Sequence, residues 1–106
     1  MNELKISEIQ IVPIKPTNGL VAFASCVINQ SLYVGSIAIF SSPSNSSGFR
    51  LVYPSKVLVN GKEINCVHPI NREAGENLST AIIGKFKEIV RRTLNENATT
   101  IPTETD

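Results

Sequence analysis

The sequence predicts an α+β fold, a twisted antiparallel β-sheet of about five to six strands with one C-terminal amphipathic α-helix. Three observations carry that prediction. Short apolar runs, several of them alternating, fill the chain up to residue 67 and are separated by Gly, Asn, Pro and Ser. Asn60-Gly61 stands between two strand-like runs, the strongest short-range hairpin signal. Beyond it, Leu78, Ala81, Ile82, Phe86, Ile89 and Val90 recur at helical spacing and form one apolar stripe.

Residues 4–14 (LKISEIQIVPI) read as the first strand. Leu4 and Ile6 fall on one face and Ile9 and Ile11 on the other, so a bulge near Ser7 and Glu8 is needed to bring all four together. Pro13 and Pro16 bound the run and mark an edge position. Thr17-Asn18-Gly19 turns the chain into a second strand, 20–28, and Asn29-Gln30 turns it into a third, 31–40. Ser41–Ser47 is a serine-rich loop expected to be mobile. Residues 48–53 (GFRLVY) give a fourth strand, stopped by Pro54. The hairpin follows over 57–67, with Asn60-Gly61 expected as a type I′ turn. His68-Pro69-Ile70-Asn71 then leaves the sheet. Asn71 is a helix N-cap, and Glu73 and Glu76 suit the positive end of a helix placed within 72–94. Gly84 costs that helix about 1 kcal/mol against alanine. Residues 1–94 form a single domain, and 95–106, which lack periodicity, form a disordered acidic tail.

A chain of 106 residues with 42% hydrophobic and 18% charged residues fits one globular domain. No apolar run approaches the ~18 residues of a membrane span, and the first residues lack the pattern of a secretory leader. A cytoplasmic location is expected. Cys26 and Cys66 lack zinc-site spacing and read as reduced thiols. The Asn-x-Ser/Thr triplets at Asn29, Asn45, Asn77 and Asn97 carry no meaning without secretion. The net charge of +1 is unevenly spread: residues 48–94 hold an excess of +4, and the tail after Leu94 holds −3. A basic half beside an acidic tail hints at a polyanionic partner, against the plain alternative of a solvated surface.

The single histidine and the absence of nucleophile-elbow, P-loop, dinucleotide or zinc-protease motifs point to binding and not catalysis. Cys66 and His68 share a strand face with side chains roughly 6–7 Å apart. No third group orients them, so His68 reads as a fixing residue of the strand–helix junction. Ser55-Lys56 after Pro54 reads either as a small anion-binding corner or as a turn with an exposed lysine. No cofactor, metal or small-molecule substrate is expected.

The second and third strands are apolar on both faces, with Val21, Phe23 and Val27 opposite Ala22, Ala24, Cys26 and Ile28. In the third, Leu32, Val34 and Phe40 oppose Tyr33, Ile37 and Ile39. One helix about 10 Å across covers about two strands, so one sheet face is left bare. Pairing of two copies through the sheet is the economical remedy.

The strand Gly48-Phe49…Tyr53-Pro54-Ser55-Lys56, the hairpin glycine Gly61 and the junction His68-Pro69-Ile70-Asn71 together resemble the SpoVG (stage V sporulation protein G, or septation-regulator) family. LVAFASCVINQSLYVGSIAIF is similar to that family's two central strands, and the likeness covers about residues 3–90. The resemblance implies a sheet-plus-helix fold, a homodimer formed through the sheet, and site-selective binding of DNA, in some members RNA, in the control of septation and sporulation genes. Carried onto this chain, the nucleic-acid surface comprises Lys56, Lys85, Lys87, Arg91 and Arg92. On a helical wheel the last four fall away from the apolar stripe with only Glu88 among them. The chain departs from the family at Val57, where a cation usually follows Pro-Ser-Lys, at Ile64-Asn65 in place of Arg-Asp, at Asn29-Gln30 in place of an acidic turn, and in a longer 41–47 loop. Each missing cation removes a phosphate partner. The rival reading is a protein-interaction module using an exposed sheet edge.

Overall fold

A computed structural model describes the backbone of residues 4–104 and the side chains of residues 4–93. Four strands, β1 (Ile6–Thr17), β2 (Leu20–Ile28), β3 (Leu32–Ser41) and β4 (Phe49–Val52), form an antiparallel meander in the order β1-β2-β3-β4. A separate two-stranded ribbon, β5 (Ser55–Val57) and β6 (Glu63–Asn65), follows, and then the helix α1 (Arg72–Glu104). The predicted α+β class is the class observed.

Two tight turns set the meander. Asn18 and Gly19 have φ of 52° and 90°, and Asn29 and Gln30 have φ of 53° and 58°. Paired positive φ values match the right-handed twist of the flanking strands, as type I′ turns do. Asn60-Gly61, where the sequence predicts that turn, is built differently. Only Gly61 has positive φ, 87°, and the loop is closed by Gly61 N–H to Leu58 O (2.8 Å) and Leu58 N–H to Lys62 O (2.7 Å). This is a three-residue connection ending in a left-handed glycine. Asn60 Oδ1 accepts the Lys62 N–H at 2.9 Å, an Asx-type bond that holds Asn60 at negative φ. The hairpin stands, but its strands begin earlier than predicted, so Ser55 and Lys56 lie in β5 and not on a turn.

Two of the sheet's register shifts decide the placing of the β1 isoleucines and of Val34. Between Ser7↔Val27 and Gln10↔Ser25, β1 uses one residue more than β2, with Glu8 at φ 50°. Leu4, Ile6, Ile9 and Ile11 thereby all pack on the core, as the sequence requires. A second bulge lies in β3, where Ser36 has φ 58° between the pairs Cys26↔Val34 and Ala24↔Ile37. It brings Val34 to the same face as Ile37 and Ile39, whereas simple alternation sets Val34 opposite them.

The core lies between one sheet face and α1. Ala22, Ala24, Cys26, Val34, Ile37 and Ile39 from the sheet meet Leu78, Ile82 and Phe86 from the helix, all buried. Phe86 meets the ring of Phe49 edge-on, at 5.1 Å between centroids and 74° between planes. Asn71 Oδ1 accepts the Ala74 N–H at 2.8 Å, the predicted N-cap. No glycine or proline interrupts the chain between Gly84 and Pro102, and the helix backbone runs past the predicted end at 94 to Glu104. The side chains of the 95–106 tail, and all of Thr105 and Asp106, lie outside the described residues.

The loop after β3, for which the sequence suggests mobility, is hydrogen-bonded to itself and to the start of β4. Ser42 N–H donates to Gly48 O (2.7 Å), Asn45 N–H to Ser42 O (3.0 Å) and Gly48 N–H to Asn45 O (3.0 Å). The Asn45 amide and the Ser47 hydroxyl both donate to Phe49 O. Serine and asparagine side chains satisfy the loop's own backbone, which low complexity alone does not reveal.

The opposite sheet face carries no helix. Register places Val12, Phe23, Ala38 and Val52 in one row across all four strands. Val12 is 61% exposed and Tyr33, on the same face, 69%. No helix among the described residues is long and apolar enough to cross a membrane.

Candidate nucleic-acid interface

An α-helix turns 100° per residue, so side chains two apart point to nearly opposite sides. Lys85 and Lys87 are therefore not neighbours. Lys85 lies half-buried on one shoulder of α1, with its Nζ 4.0 Å from Glu88 Oε1. Arg92 joins it there, its Nη2 donating to Glu88 Oε2 at 2.9 Å. Glu88 thus stands between two cations and cancels half their charge. The grouping of all four cations on one side of the wheel is corrected on this point.

Lys87 and Arg91 stand on the other shoulder, one turn apart and exposed. The ion pairs among the described residues, both to Glu88, leave these two cations free. Lys87 Nζ lies 5.9 Å from the ring centroid of Phe49, at the outer reach of a cation–π interaction.

Between this shoulder and the 42–48 loop runs a groove of about 630 Å³. Ser46 and Ser47 form one wall, Ser79 and Thr80 of α1 the other, and Tyr53 and Ile83 also line it. Arg72 and Lys87 border it as well, fifteen positions apart on the same helix. Burial and the Coulombic effect of Cys26 push the Tyr53 hydroxyl up to about 12, so it stays a neutral donor at any physiological pH. Burial likewise raises the Cys26 thiol. On sequence alone Arg72 belongs to a basic half but not to the site, because the loop that makes it part of a groove is distant in sequence. Arg50 carries no sequence signal of its own either. Its guanidinium sits 4.9 Å from the Phe40 ring centroid on the helix-free sheet face.

Lys56 is exposed on β5, away from these cations in the chain and on a different element. Ser55 beside it donates its hydroxyl to Glu63 Oε2 across the ribbon. Pro54 O accepts the Cys66 N–H at 3.0 Å and closes the ribbon's base. His68 Nδ1 donates to Pro69 O at 3.0 Å, and Pro69 lies against Gly75 in the first turn of α1. Ile70 is exposed and Asn71 caps the helix. Pro54-Ser55-Lys56 and His68-Pro69-Ile70-Asn71 therefore sit at the two joints that launch the ribbon and the helix.

The same joints fall inside a match to a known family: the SpoVG family model matches residues 4–88. The chain belongs to the SpoVG family. A Treponema denticola protein bearing the name "Putative septation protein SpoVG" is 24% identical over 85 residues, covering 80% of this chain and 88% of that protein. A Finegoldia magna protein of the same name is 27% identical over 85 residues, covering 80% of this chain and 76% of that protein. Within this SpoVG-family chain the matched span holds Lys56, Lys85 and Lys87, while Arg91 and Arg92 lie beyond it.

Proposed function

We propose that this chain is a cytoplasmic, non-catalytic regulator of septation and sporulation gene expression that acts as a homodimer and binds nucleic acid through its phosphates. Lys87 and Arg91 are the principal cations, Lys56 adds a third from the ribbon, and Lys85 and Arg92 contribute only as far as Glu88 releases them. The observation that supports this most is the exposed Lys87–Arg91 pair, free of acidic partners among the described residues. Cations so placed are the electrostatic footprint of phosphate recognition. The bare apolar row Val12–Phe23–Ala38–Val52 favours pairing of two sheets, which would present two cationic helices together.

The test is a titration of fluorescent duplex DNA and structured RNA between about 50 and 200 mM salt. Affinity is expected to fall linearly on logarithmic axes. Taking away one phosphate-binding cation, by Lys87→Ala or by Arg91→Ala, should flatten the slope by about 0.9 on duplex DNA. Absence of binding to either polymer at the lowest salt would reject the reading. It would leave the protein-interaction module, for which the free outer edge of β4, the last strand of the sheet, supplies the docking line.

A further inference from the structure

We propose that the groove between α1 and the 42–48 loop holds one single strand of nucleic acid, so that unpaired RNA or DNA is bound more tightly than duplex. This inference rests on the nucleic-acid reading above and adds which form of the polymer is preferred and where it lies.

The groove's cations come first. Arg72 and Lys87 are both free of ion pairs among the described residues. Fifteen helical residues at 1.5 Å each separate them by about 22 Å, which spans about six nucleotides of a stacked strand at 3.4 Å per phosphate. That falls within the roughly 4–16 nucleotides typical of one single-strand site. Between the cations, Ser46 on one wall and Ser79 and Thr80 on the other carry hydroxyls, and hydroxyls are common phosphate donors; the Ser47 hydroxyl is already bonded to Phe49. Tyr53 is the aromatic residue of the groove's lining. Base–aromatic stacking is the sequence-tolerant part of single-strand binding.

Size decides the form of the ligand. A cleft of about 630 Å³ admits a few nucleotides of one strand but not a double helix, which can meet only the outer shoulder bearing Lys87 and Arg91. Glu76 is the one acid in the lining and lies one turn after Arg72, so repulsion of phosphate is concentrated at that end. The lining also contains Gly84. Nothing beyond the helix's own backbone lies within 4 Å of its Cβ position, so a side chain there enters the groove and not the core.

The experiment compares a single strand of about twelve nucleotides, a length within the range of such sites, with the same sequence as a duplex. It uses the full chain and its Gly84→Leu and Arg72→Ala variants. The parent should bind the single strand at least ~10-fold more tightly, in keeping with stacking added to phosphate binding. Both variants should lose most of that preference and keep their duplex affinity. Gly84→Leu restores helix propensity, so its fold is preserved, which circular dichroism checks. Equal affinity for the two forms, or a preference untouched by both variants, overturns the groove while leaving phosphate binding standing. Binding of neither form overturns both readings. Displacement of the strand by an acidic peptide as effectively as by unlabelled strand would assign the groove to a protein partner instead.

Discussion

Glu88→Gln changes the interface in a way that stability and binding should report with opposite signs. Glu88 bridges Lys85 at 4.0 Å and Arg92 at 2.9 Å, with its side chain 51% exposed. Exposed helix pairs of this kind contribute about 0.3–0.5 kcal/mol each, so the variant should lose roughly 0.5–1 kcal/mol of stability. Binding should move the other way. A carboxylate about 8 Å from a phosphate repels it by about 0.5 kcal/mol in water before screening, and salt near 0.1 M removes more than half of that. The larger gain comes from the two cations released. If each takes one phosphate, the logarithmic salt slope on duplex DNA steepens by about 1.8 per chain. Between 200 and 50 mM salt the affinity of the variant relative to the parent should then grow about twelvefold. Anisotropy titrations across that salt range measure the slope, and urea unfolding measures the stability. Parallel salt lines for parent and variant would refute the reasoning, because they would mean that Lys85 and Arg92 never reach the polymer.

Other perturbations test the framework. Ile82→Ala removes a fully buried helix side chain and should cost about 3–4 kcal/mol in urea unfolding; a cost under about 1 kcal/mol would contradict the packing of α1 on the sheet. Val12→Lys places a charge in the bare apolar row at a site 61% exposed, so it should leave the fold intact and shift sedimentation from dimer to monomer. A parent that already sediments as a monomer removes the pairing model. The raised Tyr53 and Cys26 groups predict an alkaline weakness. The unfolded chain releases these protons near the ordinary values of 10.0 and 9.0, while the folded chain holds Tyr53's to about 12. The contribution of these two groups is therefore constant below about pH 9 and is lost as pH rises from there toward 12. In Tyr53→Phe the part of the decline above about pH 10 should shrink, as pH-dependent urea midpoints would show.

What the sequence disclosed, and what it hid, follows from where each pattern has a phase. In β1 the apolar residues Leu4, Ile6, Ile9 and Ile11 break step, so the bulge at Glu8 is legible. In β3 both phases are apolar, so the extra residue at Ser36 leaves no trace in the pattern and the faces are misassigned. Asn60-Gly61 announces a hairpin, but the turn type rests on one side-chain bond, Asn60 to Lys62, that composition does not specify. The helix cations are visible on a wheel, yet their pairing is not: Lys85 and Arg91 both stand three positions from Glu88, and it is the folded side chains that give Glu88 to Lys85 and Arg92 and leave Lys87 and Arg91 without an ion pair among the described residues. The groove was out of reach because its walls come from residues 46–47 and 72–87, which only the folded chain brings together.

The ribbon has a dynamic consequence. β5 and β6 have three residues each, every one exposed, and an isolated pair of strands is marginal in water. Its amide protons should exchange with solvent long before those of β2, as hydrogen exchange can measure. Lys56 thus rides on a lever hinged where Pro54 meets Cys66. It can follow an uneven ligand contour that a cation fixed on α1 cannot, at the cost of the entropy surrendered when the lever stops moving.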